Sequence, residues 1–202
     1  FRSAISSVSQ ALQAGYRHID TAMMYGNEES VGDAVKSSGI PREEIFITSK
    51  LDNIVRGYDE TIKSVNESLK KLQTNYIDLY LIHWPNPIKF RDNWKEQNAE
   101  SWRALEDLYR EDKLKSIGIS NFEPHHMDAL FETAIIKPMV NQIRVCPGDE
   151  PMEIIKYCDD ENILIEAYTP LGRGKLLNNE VLKDLSKKYN KSTAQLAIRW
   201  HL

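Results

Sequence analysis

The sequence predicts an α/β fold, and within that class a (β/α)8 TIM barrel with about six of its eight strands. Short β-branched apolar runs alternate with longer segments of helical periodicity along all 202 residues. This alternation is typical of parallel strands joined by right-handed helical crossovers. Polar residues follow the apolar runs, as a barrel requires where its strands end.

Each predicted strand is a short apolar run rich in isoleucine, leucine or valine. The six strands are predicted at residues 16–20, 45–48, 77–82, 116–119, 139–142 and 163–167. The chain begins on an amphipathic helix, which Gly15 ends. Further helices are predicted at 28–37, 58–72, 99–112, 124–133, 151–161 and 192–202.

An open doubly wound sheet is the alternative arrangement of the same elements. It requires a glycine-rich phosphate loop after the first strand. Here that strand ends on Asp20 and continues as TAMMY, without the glycines. The barrel instead predicts active residues at several strand ends: Asp20, Lys50, His83, Ser120 with Asn121, Gln142 and Tyr168.

The length fits one domain over residues 1–202, but a complete barrel has eight strands and about 250 residues. Because the first and last strands are neighbours in a closed barrel, losing both leaves a single gap. We therefore expect that the first strand, the last strand and the final loop lie outside this sequence.

Composition narrows the function classes. A net charge of −4 argues against a nucleic-acid surface, and no apolar run is long enough to span a bilayer. The only cysteines, Cys146 and Cys158, predict reduced thiols in a cytoplasmic protein. No segment requires a protein partner, so we expect a monomer.

The strand-end residues suggest proton chemistry. Lys50 and Asp20 on adjacent strands can pair, and Tyr25 lies one short loop beyond the aspartate. Since phenol has a pKa of about 10, a nearby ammonium that favours the phenolate makes proton transfer easier. His83 on the next strand can polarise a carbonyl oxygen. A hydride-carrying cofactor must then supply the electrons.

Five motifs resemble those of the aldo-keto reductases, in the family's order and along the whole chain. They are GYRHIDTA with YGNE (15–22, 25–28), DLYLIHWP (78–85), KSIGISNF (115–122), VNQ (140–142) and AYTPLG (167–172). The resemblance implies an NADPH-dependent reduction of an aldehyde or a ketone to an alcohol. A small-molecule carbonyl compound would be the substrate.

The resemblance also implies residue roles. In the catalytic tetrad, Tyr25 donates the proton and Lys50 adjusts the pKa of Tyr25. Asp20 pairs with Lys50, and His83 orients the substrate. The implied cofactor contacts are Ser120, Asn121 and Gln142 at the carboxamide, Tyr168 stacked on the nicotinamide ring, and Thr169 and Leu171 near the pyrophosphate. For Trp84, lining the substrate pocket and packing both stay open.

Several alternatives remain at this point. The family's 2′-phosphate segment would follow Leu202, so NADH stays open beside NADPH. A cofactor-binding regulatory or redox-sensing subunit is the second interpretation. A third is a barrel of another chemistry, such as a hydrolase or an aldolase, in which Lys50 would form a Schiff base. His125 and His126 are expected on a helix surface without a third ligand nearby, so no metal site is predicted.

Overall fold

The computed structural model describes residues 2–202. It divides into two compact units that meet in the chain at Met139 and Val140. Each unit is built from alternating strands and helices. The alternation predicted from the sequence is therefore confirmed in both.

The first unit contains four parallel strands. They are β1 (His18–Asp20), β2 (Phe46–Leu51), β3 (Leu79–Ile82) and β4 (Ile117–Ser120), and each pairs with the next along the chain. The helices of this unit are α1 (Arg2–Gln13), α2 (Glu28–Ser37), α3 (Tyr58–Leu72), α4 (Trp94–Arg110) and α5 (Pro124–Phe131).

The second unit contains the parallel strands β5 (Val140–Arg144) and β6 (Leu164–Tyr168). Its helices are α6 (Met152–Asp160), α7 (Glu180–Tyr189) and α8 (Thr193–Trp200). Ser192 and Gln195 form a capping box that fixes the start of α8.

The core of the first unit lies between its strands and helices. Strands β3 and β4 are buried along their whole length, as expected of parallel strands covered on both faces. Gly32 lets α2 approach α3 closely, because a Cβ atom there would lie 2.6 Å from the carbonyl oxygen of Lys71. Buried side chains that fill this core include Ile19, Ile47, Leu69, Leu81, Trp102, Leu105 and Ile119.

All six predicted strands are present, with ends that differ by a few residues. Helix α4 starts at Trp94 rather than residue 99, because its first turn continues directly from a 3-10 helix at Ile88–Asn93. Helix α7 is absent from the sequence prediction. Its sequence EVLKDLSKKY nevertheless carries apolar residues at helical spacing, and Leu182 is its buried residue. Among residues 2–202, the helices all fall short of the length and apolarity needed to cross a membrane.

Candidate active site

The centre of the candidate site is an ion pair between the first two strands. The ammonium Nζ of Lys50 lies 2.5 Å from Oδ1 of Asp20. Nζ also donates a hydrogen bond to the carbonyl oxygen of Thr21, 3.0 Å away. The Lys50 side chain is 1% exposed and the Asp20 side chain 36% exposed. A buried lysine is thus held by one carboxylate and one backbone oxygen.

The position of Lys50 corrects one detail of the sequence prediction. Lys50 was expected after the second strand, but β2 runs on to Leu51. The register pairs Asp20 with Thr48 on β2, so Lys50 lies one pleat further towards the carboxyl end of the sheet. Because residues i and i+2 of a strand point to the same face, its side chain can reach back to the end of β1.

Tyr25 ends a one-turn 3-10 helix, Met23–Tyr25, which follows β1 after two intervening residues. The turn closes at Gly26, whose φ of 63° is in the left-handed region that glycine adopts without a steric penalty. The Tyr25 ring centroid lies 5.5 Å from Nζ of Lys50. The Tyr25 side chain is 51% exposed, which leaves it accessible to a ligand.

His83 directly follows β3 and is 7% exposed. Its ring meets the Tyr25 ring edge-on, with 5.8 Å between centroids. Burial, and next the positive charge of Lys50, lower the pKa of His83 to about 4. The imidazole is therefore neutral near pH 7, with one ring nitrogen as a donor and one as an acceptor. Its buried Nδ1 has no hydrogen-bond partner among residues 2–202.

Ser120 and Asn121 lie at the carboxyl end of β4. The Asn121 amide Nδ2 donates to the backbone oxygen of His83 at 3.0 Å and to Oγ of Ser120 at 3.1 Å. Asn121 adopts a left-handed backbone with φ of 62°, a conformation that asparagine tolerates better than most residues. This pair therefore adjoins the histidine of the tetrad.

The second unit holds the remaining predicted cofactor residues. Gln142 lies inside β5 rather than at its end, and its Nε2 donates to Oε1 of Glu166 at 2.8 Å. Tyr168 ends β6, and burial raises the pKa of its phenol. Thr169 and Leu171 follow in the next turn, where their carbonyl oxygens accept from Gly172 N–H and Gly174 N–H.

The polar groups of these residues fit a nicotinamide. Ser120 offers a hydroxyl, and Asn121 and Gln142 offer carboxamides, which can donate to and accept from the carboxamide of a nicotinamide ring. The half-buried ring of Tyr168 offers an aromatic face for stacking. In each unit, the donor set is therefore suited to the cofactor that the sequence implies.

Trp84 follows His83 and is 43% exposed, so part of its indole is open to a ligand. Its carbonyl oxygen accepts from Nη2 of Arg56 at 2.5 Å. Arg56 is 5% exposed and also donates to the carbonyl oxygen of Asp52 and to Oδ1 of Asn98. Burial lowers its pKa to about 10. This arginine ties the loop after β2 to the loop after β3.

Sequence patterns also did not predict a buried contact between Glu28 on α2 and Ser49 on β2. Glu28 is 2% exposed, and the hydroxyl of Ser49 donates to its Oε1 at 2.6 Å. Ser49 precedes Lys50 on β2, so the contact fixes α2 against the strand that carries the lysine. Glu28 stands inside the YGNE motif, but a glutamate at a helix start is normally interpreted as a capping residue.

The expectation for the histidine pair is wrong in part. His126 is 4% exposed rather than on the surface, and its ring centroid lies 3.8 Å from that of His125. Glu123 is a third potential ligand, with all three ligand atoms within 4.8 Å. The backbone N–H of Glu123 donates to Nδ1 of His126, so the cluster acts as a helix cap. That the chain holds no metal stays a prediction.

The surroundings of Lys50 bear on the Schiff-base alternative. Such a lysine attacks a carbonyl as an accessible neutral amine. Lys50 is instead buried, paired with Asp20 and hydrogen-bonded to the Thr21 carbonyl oxygen. These contacts stabilise the charged ammonium and favour an electrostatic role.

Comparison with known proteins supports the resemblance seen in the motifs. The model of the Aldo/keto reductase family matches residues 1–202. The glyoxal reductase of Bacillus subtilis (strain 168) is 48% identical over 199 residues, which cover 98% of this chain and 69% of the relative.

Solved structures give the same result for the fold. An aldo/keto reductase from Brucella melitensis superposes with a TM-score of 0.91 at 47% identity, over 98% of this chain and 74% of the other. A Bombyx mori aldo-keto reductase solved in complex with NADP gives a TM-score of 0.87 at 35% identity, over 97% of this chain and 69% of the other. The neighbours are (β/α)8 barrels, which confirms the predicted fold class.

Proposed function

The chain belongs to the aldo/keto reductase family, and on that premise we propose that Tyr25 is the proton donor of its reaction. The reaction class is the reduction of an aldehyde or a ketone to an alcohol by NAD(P)H. The observation that carries the proposal is the meeting of Tyr25, Lys50 and His83 at the ends of three strands.

The four residues divide the work of proton transfer. The nicotinamide, when bound, supplies the hydride to the carbonyl carbon. The Tyr25 hydroxyl gives its proton to the carbonyl oxygen, and the charge of Lys50 stabilises the phenolate left behind. Asp20 holds Lys50 in place. The neutral His83 ring donates a hydrogen bond that orients the carbonyl.

The cofactor is proposed to be NADPH, held at its nicotinamide end by Ser120, Asn121 and Gln142, with Tyr168 against the ring and Thr169 and Leu171 near the pyrophosphate. The NADP complex of the Bombyx mori relative supports this choice. The substrate is proposed to be a small aldehyde or ketone, in keeping with a relative named for the reduction of glyoxal. Trp84 is proposed to line its pocket.

Tyr25→Phe in the full-length protein tests the central role. Removing the hydroxyl alone is expected to lower kcat by about 100-fold to 10,000-fold, the usual contribution of a positioned acid. NADPH oxidation with a panel of aldehydes measures the rate, and quenching of protein fluorescence checks that NADPH still binds.

Tyr16→Phe is the matched control, because Tyr16 is 63% exposed and outside the tetrad. It should retain the wild-type rate. A Tyr25→Phe variant that reduces aldehydes as fast as the Tyr16→Phe control would remove Tyr25 from the proposed mechanism.

A further inference from the structure

A cavity of about 650 Å³ opens between the loops that follow β2 and β3. Its floor and walls include Asn53 and Ile54 from the first loop and Trp84 from the second. Ile88, Lys89 and Arg91 come from the 3-10 helix that precedes α4. All of these residues belong to the first unit.

The cavity adjoins the tetrad through two chain connections. Trp84 is the residue after His83, so the indole and the imidazole come from consecutive positions. On the other side, Nδ2 of Asn53 donates to Sδ of Met24 at 3.9 Å, and Met24 precedes Tyr25. Neither Tyr25 nor His83 lines the cavity, but residues next to each of them in the chain either line it or contact its lining.

Part of the wall is apolar and open to solvent. Trp84 is 43% exposed, Ile54 65% and Ile88 84%. Large apolar side chains grouped around a concave surface are typical of ligand pockets. The hydrocarbon part of a carbonyl compound is suited to cover them.

The charged part of the wall has one sign only. Lys89 and Arg91 line the cavity, and none of the lining residues is an aspartate or a glutamate. Nζ of Lys89 donates to the carbonyl oxygen of Ile54 at 3.0 Å, which holds the ammonium over the loop after β2. Within residues 2–202, neither Lys89 nor Arg91 forms an ion pair with a carboxylate.

Two cations on one concave wall attract an anion more strongly than either would on a flat surface, since a cleft focuses their field. A guanidinium can bind a carboxylate with two parallel hydrogen bonds, and an ammonium adds a point charge. We propose that this cavity selects carbonyl substrates that carry a carboxylate, with Lys89 and Arg91 binding the carboxylate while the carbonyl lies at Tyr25 and His83. The proposal rests on the proposed function of the tetrad.

A matched pair of substrates tests this selection in the full-length enzyme. 4-Carboxybenzaldehyde carries the anion, and its methyl ester has the same aldehyde without the charge. Lys89→Met and Arg91→Met are each expected to lower kcat/KM for the acid by about fivefold to tenfold. The ester should change by less than about twofold in both variants, which also shows that they fold.

Lys63→Met is the matched control, because it removes one positive charge from an exposed position on α3 outside the cavity. It should leave the ratio of acid to ester unchanged. Added sodium chloride should lower kcat/KM for the acid in the wild type, because salt screens exposed charges. It should have a much smaller effect on the ester, and on the acid in a variant that combines Lys89→Met with Arg91→Met.

Binding of the reaction products gives a second measurement that does not need turnover. Titration calorimetry on the Tyr25→Phe enzyme with NADP+ compares 4-(hydroxymethyl)benzoate with its methyl ester. The acid should bind more tightly than the ester, and the preference should disappear in the Lys89→Met, Arg91→Met background.

The two proposals fail in different ways. If the acid-to-ester ratio is the same in the wild type and in the cavity variants, in turnover or in binding, anion selection by Lys89 and Arg91 is refuted. If Tyr25→Phe retains the wild-type rate on the ester, the tetrad assignment fails while the ratio can still show selection by the cavity.

Discussion

Lys50 and Lys89 lie on neighbouring parts of the first unit, yet their surroundings are opposite. Lys50 is 1% exposed, and Asp20 and the Thr21 carbonyl oxygen hold its ammonium. Lys89 is exposed at the rim of the cavity, where a single backbone oxygen accepts from it. One cation has its counter-charge built into the fold, and the other faces an opening.

The difference follows from the cost of burying charge. An ammonium removed from water needs a partner and further hydrogen bonds to offset its desolvation. A rim cation keeps much of its hydration and needs no internal partner, so it stays available for a ligand. The buried Lys50–Asp20 pair is therefore suited to a constant role in the reaction. The exposed Lys89 is suited to binding some substrates in preference to others.

The largest expected effect is that of Lys50→Met. Removing the ammonium breaks the ion pair to Asp20 and the hydrogen bond to the Thr21 carbonyl oxygen, and kcat should fall by about 100-fold to 1,000-fold, the range for losing a preorganised charge. Stability should fall by about 1–3 kcal/mol. Aldehyde reduction and urea unfolding measure the two effects.

Lys89→Met is the comparison variant for that experiment. On a neutral aldehyde it should keep kcat within about twofold and the free energy of unfolding within about 0.5 kcal/mol, as surface changes usually do. If kcat and the free energy of unfolding fall equally in the two variants, burial does not explain a difference in role between Lys50 and Lys89.

Arg56→Met should have the next largest effect, on stability. The buried guanidinium donates to the carbonyl oxygens of Asp52 and Trp84 and to Asn98. Methionine fills the space of the stem but leaves those oxygens unsatisfied, at an expected cost of about 2–4 kcal/mol. Urea unfolding measures the loss. KM should also rise, because the two loops that form the cavity wall lose their connection.

Arg91→Met serves as the control, since this arginine lies exposed on the cavity rim. Its free energy of unfolding should stay near the wild-type value. If Arg56→Met and Arg91→Met unfold at the same urea concentration, the buried hydrogen bonds of Arg56 do not stabilise the fold more than the exposed Arg91 does.

The smallest expected effect near pH 7 is a pH dependence carried by the buried histidines, because it develops only below about pH 6.5. Burial lowers the pKa of His83 and of His126 to about 4, from a reference of 6.5. The unfolded chain therefore binds more protons between these values, and stability should fall as the pH drops from 6.5 to about 4. Each histidine contributes a slope of at most about 1.4 kcal/mol per pH unit. Urea unfolding at several pH values measures the slope.

His126→Asn should reduce that slope, since asparagine can still accept from the Glu123 N–H and does not titrate. His125→Asn is the control, because His125 is 62% exposed. A slope that falls equally in both variants, or in neither, would contradict a contribution from burial at His126.

Much of the fold was legible from the sequence because parallel strands buried on both faces must be nearly continuous apolar runs. The six strands were found in this way, whereas the tetrad is a prediction from the strand ends and the family resemblance. Helix α7 was not predicted, although its apolar residues recur at helical spacing. The extension of β2 through Lys50 was also missed, since a charged residue normally marks the end of a buried strand.

In the candidate site, too, the residues with a local sequence signal were predicted, and long-range contacts of other residues were missed. Asp20, Tyr25 and His83 stand in short motifs and Lys50 follows a short apolar run, so local sequence carries the information. Arg56 and the Glu28–Ser49 contact are long-range: Arg56 reaches Trp84 across 28 residues, and Ser49 reaches Glu28 across 21. A single sequence does not contain such pairings, because they depend on how the strands align.

The sequence alone determined the alternation of strands and helices and the family motifs, because periodicity and motif spacing are local properties. Tertiary structure decided which charges are buried and which are open. It buried Lys50, Arg56 and His126, and set Lys89 and Arg91 on one cavity wall. The physical reason is that desolvation depends on everything packed around a group, which local sequence does not specify.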